Sequence, residues 1–107
     1  MRTLLASALM ALAASAFAAD ANTFALNLTD KGFEPATLAV PAGQPFKVTV
    51  TNQTKKTAEF ESKQLHKEKV VAPGKSISVS FTALKAGTYN FVDEYNEDKA
   101  KGTIVAK

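Results

Sequence analysis

Apolar and polar residues alternate with a period of two in three segments of the chain, 24–28, 46–50 and 76–81. This alternation is typical of β-strands with one face in a core and the other in solvent. Shorter segments bounded by Gly, Pro or Asn are also predicted to be extended: 37–40, 58–62, 87–92 and 103–106. The pattern therefore predicts seven strands.

Helix is a minor component of the prediction. After residue 20 no segment sustains an apolar i, i+3, i+4 pattern, and only 62–67 is predicted to form a brief helical turn. Many short strands in a domain of this size favour two antiparallel sheets packed face to face with Greek-key connections. The predicted class is an all-β sandwich.

The N-terminus has the pattern of a signal peptide. Arg2 precedes an apolar run over 4–14, and Ala16 and Ala18 are small residues ahead of Asp20. We therefore expect cleavage after residue 18 or 19, a signal peptide over 1–19 and one domain over 20–107. The run is shorter than the roughly 20 apolar residues of a membrane span, and no cysteine is present for lipidation. We expect a periplasmic protein without a membrane anchor.

Charge and cysteine content exclude several functions. The 13 Lys and Arg residues against 10 Asp and Glu give a net charge of +3, spread along the chain without aromatic interleaving. Nucleic-acid binding is therefore not predicted. The absence of cysteine excludes disulfides, thiolate metal sites and thiol catalysis.

Two parts of the chain resemble the cupredoxins. Residues 33–43 and 48–52 are similar to their opening strand, Pro-Gly turn and second strand ending in Asn. Residues 73–74, 87–91 and 102–105 are similar to the frame of their C-terminal ligand loop. The resemblance implies a cupredoxin-like Greek-key β-sandwich of about seven strands.

The resemblance also implies that the blue-copper ligands are missing. Asp93 stands where the family has its Cys, Asn96 where it has the loop His, and Ala100 near its Met. Glu59 stands about where the early His follows Asn52. A type 1 copper site needs the thiolate, so blue-copper electron transfer is not expected.

A closer resemblance is to the EfeO-type cupredoxin-like proteins, which are small periplasmic proteins often associated with iron permeases. It is carried by 59–62, Leu65, 68–71, 73–74 and 91–95. The resemblance implies a role in periplasmic iron or copper handling, with a component of an iron permease system as partner.

Strand phase predicts where the acidic side chains point. If 58–62 is extended, Glu59 and Glu61 lie on one face and Phe60 on the other. Asp93 directly follows the strand predicted over 87–92 and lies two residues after Phe91. Both side chains should therefore lie on the same face, with Asp93 pointing inward at the strand end.

These residues predict a metal site. Its ligands would be Glu59 and Asp93, with Glu61, Glu68 or Glu94 completing the set and His66 as the only nitrogen donor. Oxygen ligands with one imidazole favour iron, manganese or cupric copper over cuprous copper or structural zinc.

Two alternatives remain open. Glu59 or Asp93 would pair with Lys69 or another lysine in a metal-free module that binds a transporter component, and a lone histidine such as His66 is more often simply exposed than a ligand. No catalytic residue is predicted, because Ser62 and His66 lack a Gly-flanked nucleophile turn and an orienting third group. Oxidation of ferrous iron is suggested by the family resemblance alone.

Overall fold

The structure, a computed structural model, describes residues 22–107, so the predicted signal peptide lies outside the described residues. The described chain forms nine strands and one short 3-10 helix, η1. The strands are β1 (Thr23–Thr29), β2 (Gly32–Glu34), β3 (Thr37–Val40), β4 (Phe46–Asn52), β5 (Ala58–Ser62), β6 (Lys67–Val71), β7 (Ser76–Phe81), β8 (Gly87–Asp93) and β9 (Lys101–Ala106), and η1 is Glu94–Asn96.

The strands form two sheets, as predicted for a sandwich. The first sheet has the order β2-β1-β4-β7 and the second has the order β3-β9-β8-β5-β6. The prediction that both sheets are antiparallel was wrong, because β1 pairs with β4 and β3 pairs with β9 in parallel. Between β1 and β4 the chain passes through the second sheet as β3 and returns beside β1 in the same direction. Residue alternation specifies the faces of a strand but carries no information on its direction.

The strand count is nine rather than the predicted seven. The two additional strands are β2, which has only three residues, and β6. Strand β6 lies at the edge of the second sheet and is exposed over most of its length, so its sequence, KEKVV, lacks a clear apolar-polar alternation. An edge strand is a common position for charged side chains on both faces.

The segment 62–67 is a hairpin turn instead of the predicted helical turn. Ser62 ends β5, Lys67 begins β6, and the backbone N–H of His66 donates to the carbonyl of Lys63 at 3.3 Å. His66 adopts a left-handed conformation with φ 56°. Left-handed backbone reverses the chain and stops a helix from propagating.

The core lies between the two sheets and is rich in interlocked aromatic rings. The ring of Phe91 packs edge-on against Phe33 at 5.0 Å and lies 5.4 Å from that of Phe60, while Phe46 stacks on Phe81 at 4.7 Å. Edge-to-face and offset contacts of this kind are favourable arrangements of aromatic rings. The buried apolar residues are Leu26, Leu28, Phe33, Leu38, Val40, Phe46, Val48, Val50, Ala58, Phe60, Val71, Val79, Phe81, Phe91, Ala100, Ile104 and Ala106.

Within residues 22–107, no helix has the length and apolar character needed to cross a bilayer. Strands β5 and β8 and the helix η1 meet at one end of the sandwich.

Candidate metal centre

Strand β5 carries carboxylates on one face and an aromatic ring on the other. Phe60 is 1% exposed and lies in the core, so Glu59 and Glu61 lie on the face of the second sheet that points away from the first sheet, called here the outer face. Asp93 pairs directly with Phe60 and therefore shares its inward-pointing face. These directions confirm the strand phases predicted from the sequence.

Three carboxylates come together on the outer face. Pairing of β6 with β5 places Glu68 opposite Glu61, and η1 begins with Glu94 immediately after β8. One carboxylate oxygen from each of Glu59, Glu68 and Glu94 lies within 4.8 Å of the other two. Glu59 is buried, whereas Glu68 and Glu94 are exposed. We call these three residues the carboxylate cluster.

The neighbouring carboxylates make ionisation of Glu59, the buried member of the cluster, unfavourable. A side-chain hydrogen bond with Glu94, burial, and the negative charges of Glu68, Glu94 and Glu61 raise the pKa of Glu59 from 4.5 to about 7. All of these influences act in the same direction. A carboxyl group in this situation either keeps its proton near neutral pH or binds a cation.

Glu61 adds a buried oxygen with no partner beside the cluster. Its side chain is only 8% exposed, and its Oε1 accepts no hydrogen bond. Burial, followed by the charge of Glu94, raises the pKa of Glu61, with Lys63 acting in the opposite direction. Together with Glu68 it lines an open cleft of about 370 Å³. Buried polar atoms nearly always have a partner, so this oxygen is suited to a bound cation.

Asp93 has a different role from the cluster. Its Oδ1 accepts hydrogen bonds from the backbone N–H of Glu59 at 2.9 Å and of Tyr95 at 3.1 Å. It thereby caps η1 and fastens it to β5. Its side chain lines a separate cleft of about 520 Å³ at the end of the sandwich, with Leu28 and Thr54 among the other walls.

The structure thus separates the two residues that the sequence predicts as the centre of the site. Glu59 and Asp93 lie side by side in the backbone, but their side chains are on opposite faces of the second sheet. Of the six predicted ligands, Glu59, Glu68 and Glu94 converge and Glu61 adjoins them, while ligation by Asp93 stays a prediction.

His66 is not a member of the carboxylate cluster, although it lines a cleft with one of its members, Glu68. It is exposed in the β5–β6 turn, where it lines the same cleft as Glu61, and it is not in the group of ligand atoms within 4.8 Å. Ser62 Oγ is buried and makes no hydrogen bond, so Ser62 and His66 do not form a nucleophile–base pair. Ligation by His66 stays a prediction.

Lys69 does not neutralise Glu59 in this structure. It pairs with Phe60 in the β5–β6 register, and its Nζ donates to the carbonyl oxygen of Ser78 at 2.7 Å. Because Ser78 belongs to β7, this lysine bridges the two sheets instead of reaching the carboxylate cluster.

Sequence reasoning missed Tyr95, whose side chain is 58% exposed beside Glu94. It also missed that Glu68 would face Glu61. Treating 67–71 as the return strand of a hairpin after 58–62 would have found this pairing, since hairpin partners share a face.

A type 1 copper ion does not fit these residues. Asp93 occupies the position suggested for the thiolate ligand, its Oδ1 is hydrogen-bonded to two backbone N–H groups, and the sequence contains no cysteine. The three converging residues of the carboxylate cluster offer oxygen donors.

Comparison with known proteins establishes the relationship of the chain. Residues 2–106 match the family described as Cupredoxin-like domain. The chain belongs to this cupredoxin-like family. An uncharacterized protein of Rickettsia prowazekii (strain Madrid E) is 32% identical over 80 residues, which are 75% of this chain and 64% of the relative. The chain thus spans less than two thirds of that relative.

Solved cupredoxin-like structures share the fold at low identity. Dithionite-reduced auracyanin from Roseiflexus castenholzii superposes with a TM-score of 0.64 at 20% identity, covering 80% of this chain and 97% of auracyanin. The metal-binding domain of the Cu(I)-exporting P-type ATPase CopA of Streptococcus pneumoniae D39, solved with Cu(I), gives 0.67 at 18%, covering 79% and 84%. A purple cupredoxin from Nitrosopumilus maritimus gives 0.61 at 16%, covering 78% and 98%.

Proposed function

We propose that this cupredoxin-like domain binds a metal cation at the carboxylate cluster on the outer face of its second sheet. The observation that carries the proposal is the convergence of three carboxylate oxygens within 4.8 Å beside the unpartnered buried oxygen of Glu61. A cation there would relieve the repulsion among the carboxylates and satisfy that oxygen.

The donor set favours a hard ion. Carboxylate oxygens suit iron and manganese, whereas cuprous copper prefers sulfur ligands. Cupric copper also binds oxygen donors, and among divalent ions a given site generally holds it more tightly than ferrous iron or manganese, although the single histidine lies outside the cluster. Iron, manganese and cupric copper are therefore the candidate ions.

The biological role we propose is that of an accessory metal carrier in the periplasm, serving iron uptake or, as a second choice, copper uptake. The signal-peptide pattern over 1–19 and the EfeO-type resemblance of 59–62 and 91–95 support it. A component of an iron permease system is the proposed partner, and the domain is proposed to bind the ion without catalysing a reaction.

A metal-free interaction module is the second candidate. The two large hydrophobic side chains that are exposed within residues 22–107, Val70 and Tyr95, both adjoin the cluster. Val70 pairs with Glu59 in the β5–β6 register, and Tyr95 follows Glu94 in the chain. An apolar contact on each side of an acidic surface would suit a protein partner such as a transporter component.

Thermal unfolding of the metal-stripped protein distinguishes the two candidates. We expect ferric, ferrous or manganous ion to stabilise the folded state by about 2.7 kcal/mol when free ion is about a hundredfold above its dissociation constant. The double variant Glu59→Gln, Glu68→Gln should lose this shift. The control variant Glu34→Gln, altered at an exposed carboxylate on β2, should keep it.

Two results would contradict the metal-binding proposal. One is the absence of a shift with every ion tested, including cupric copper and zinc, which would favour the interaction module. The other is an undiminished shift in the double variant, which would move the binding site away from the carboxylate cluster.

A further inference from the structure

We propose that the cleft lined by Asp93 at the end of the sandwich binds a small hydroxycarboxylate, with the ligand's carboxylates on lysine ammonium groups and its hydroxyl on Asp93. The cleft has a volume of about 520 Å³. This lies within the range of roughly 300–1,000 Å³ that is usual for small-molecule sites. The site is separate from the carboxylate cluster, so the inference goes beyond the proposed binding of a metal ion.

Three lysines give the cleft its positive charge. Lys55, Lys56 and Lys99 all line it, and all three are exposed. Asp30 lines it as well, yet within residues 22–107 none of the three ammonium groups forms an ion pair with a carboxylate. Several free ammonium groups in one cleft attract an anion that carries more than one negative group.

Asp93 contributes a buried acceptor to the same cleft. Its side chain is only 5% exposed, and its Oδ1 accepts the backbone N–H groups of Glu59 and Tyr95. Its other oxygen, Oδ2, has no hydrogen-bond donor within residues 22–107. A largely buried carboxylate oxygen without a donor is unfavourable, so Oδ2 is suited to a hydroxyl group of a ligand.

The backbone that carries Lys55 and Lys56 is held in place by the fully buried side chain of Asn52. Asn52 Nδ2 donates to the carbonyl oxygens of Lys56 at 2.8 Å and Val71 at 3.0 Å. Its Oδ1 accepts the backbone N–H of Thr54 at 3.0 Å and the Thr54 hydroxyl at 2.7 Å. Because this loop is ordered before a ligand arrives, less conformational entropy is lost on binding.

The backbone of the third lysine is fixed as well. The N–H of Lys99 donates to the carbonyl oxygen of Asn96 at 3.2 Å, and Asn96 also lines the cleft. The carbonyl oxygen of Lys99 lies so close to Gly32 that a Cβ atom there would be 2.6 Å from it. The ammonium groups can therefore adjust to a ligand through their side chains while the walls of the cleft stay in place.

A hydroxycarboxylate is the chemical class that satisfies both kinds of group. An anion without a hydroxyl would leave Asp93 Oδ2 without a donor and would be repelled by its charge. A neutral sugar would leave the lysine ammonium groups without a counter-charge. A compact molecule with two or three carboxylates and one hydroxyl, such as citrate, meets both requirements.

The test is isothermal titration calorimetry of the metal-stripped protein with citrate and with tricarballylate. Tricarballylate has the carboxylates of citrate but lacks its hydroxyl group. We expect citrate to bind at least about tenfold more tightly, because it alone gives Asp93 a hydrogen-bond donor. Added salt should weaken the binding of both anions, since the lysines are exposed.

Removal of lysine charges locates the site. The double variant Lys55→Gln, Lys56→Gln should bind citrate at least about tenfold more weakly than the native protein. The matched control is Lys75→Gln, Lys85→Gln, which removes the same charge at exposed positions outside the cleft. This control should keep the native affinity for citrate.

The outcomes separate this inference from the proposed function. The variant Glu59→Gln, Glu68→Gln, which lacks the proposed metal site, should bind citrate as the native protein does. No binding of citrate, or an equal loss in both lysine variants, would overturn the inference. Equal affinities for citrate and tricarballylate would overturn the contact with Asp93, and inorganic phosphate binding as tightly as citrate would overturn the class of ligand. None of these results would affect stabilisation by a metal ion.

Discussion

Glu59 is an acidic side chain held where its charge is unfavourable. Its neighbour Phe60 anchors β5 in the core, and its own backbone N–H is bound to Asp93, so the carboxyl group cannot move away from Glu68 and Glu94 by shifting the strand. Arrangements that sacrifice stability in this way are concentrated at functional sites. The effect of Glu59 on the stability of the protein can therefore be measured without knowing the ligand.

The stability of the metal-free protein should fall as pH rises from about 4.5 to 7. Between the unfolded pKa of 4.5 and the folded pKa of about 7, the Glu59 carboxyl binds more protons in the folded state than in the unfolded state. Raising the pH through this range therefore favours unfolding, and the loss is complete above the folded pKa. Urea unfolding across this range measures the effect.

Glu59→Gln should remove that contribution, because the amide does not titrate. Relative to the native protein, the variant should gain metal-free stability toward pH 8, while Glu34→Gln should follow the native profile. A pH profile that is the same in Glu59→Gln and in the native protein would show that the cluster does not raise the Glu59 pKa.

Asp93→Ala should destabilise the fold by about 1–3 kcal/mol, because it leaves the buried N–H of Glu59 without an acceptor. Asp93→Asn retains an oxygen acceptor and should lose less. Urea unfolding compares the two variants. Equal stability of Asp93→Ala and the native protein would contradict a structural role for this carboxylate.

At the scale of the element, the alternation of residues predicts the faces of β5 and β8 because both strands border the core. It does not predict β6, since an edge strand exposes both faces and its sequence is not constrained to alternate. The carboxylate cluster depends on that strand for Glu68. The acidic residues of the site could therefore be named from the sequence, but their grouping required the strand pairing.

Gly102 permits the close approach of β9 to its surroundings. A Cβ atom at this position would lie 2.5 Å from the carbonyl oxygen of Ala36 and 2.6 Å from Cζ of Phe91. Gly102→Ala should therefore destabilise the protein by about 1–3 kcal/mol through overpacking. Gly87→Ala, where the nearest atom is 3.7 Å away, is the control that should change stability little. Equal unfolding midpoints for the two variants would contradict this packing.

For the whole molecule, the two sheets are joined by the aromatic core and, at one edge, by Lys69. This lysine donates from β6 to the carbonyl oxygen of Ser78 on β7. The interaction spans the sandwich, so its energetic effect concerns sheet packing and is independent of the charge on the cluster. The sequence names Lys69 as a partner for Glu59 or Asp93, but the strand faces direct it elsewhere.

Lys69→Met should lower stability by at most about 1 kcal/mol, since it removes one exposed hydrogen bond. It should leave the pH profile attributed to Glu59 and the metal-dependent shift unchanged. Unfolding at pH 5 and pH 8, with and without metal, measures both quantities. A changed Glu59 profile in this variant would indicate that Lys69 acts on the cluster after all.

The sequence did not predict on which face of the molecule the carboxylates converge. The family resemblance directs attention to Asp93 and the inward-facing end of the sandwich, whereas the carboxylates converge on the outer face of the second sheet. Adjacent residues of a strand lie on opposite faces, as Glu59 and Phe60 do on β5, and Glu94 lies beyond the end of β8 in η1. The overall architecture could be predicted because the pattern of buried residues determines it. The carboxylate cluster could not, because its members come from three separate segments whose pairing the pattern does not specify.

The open position of the cluster has a kinetic consequence. Two of its three carboxylates are exposed, so water and competing chelators would reach a bound ion directly. Competing chelators would speed its removal, because no part of the chain would have to move for the ion to leave. A centre of this kind suits the transfer of an ion between two partners better than long-term storage.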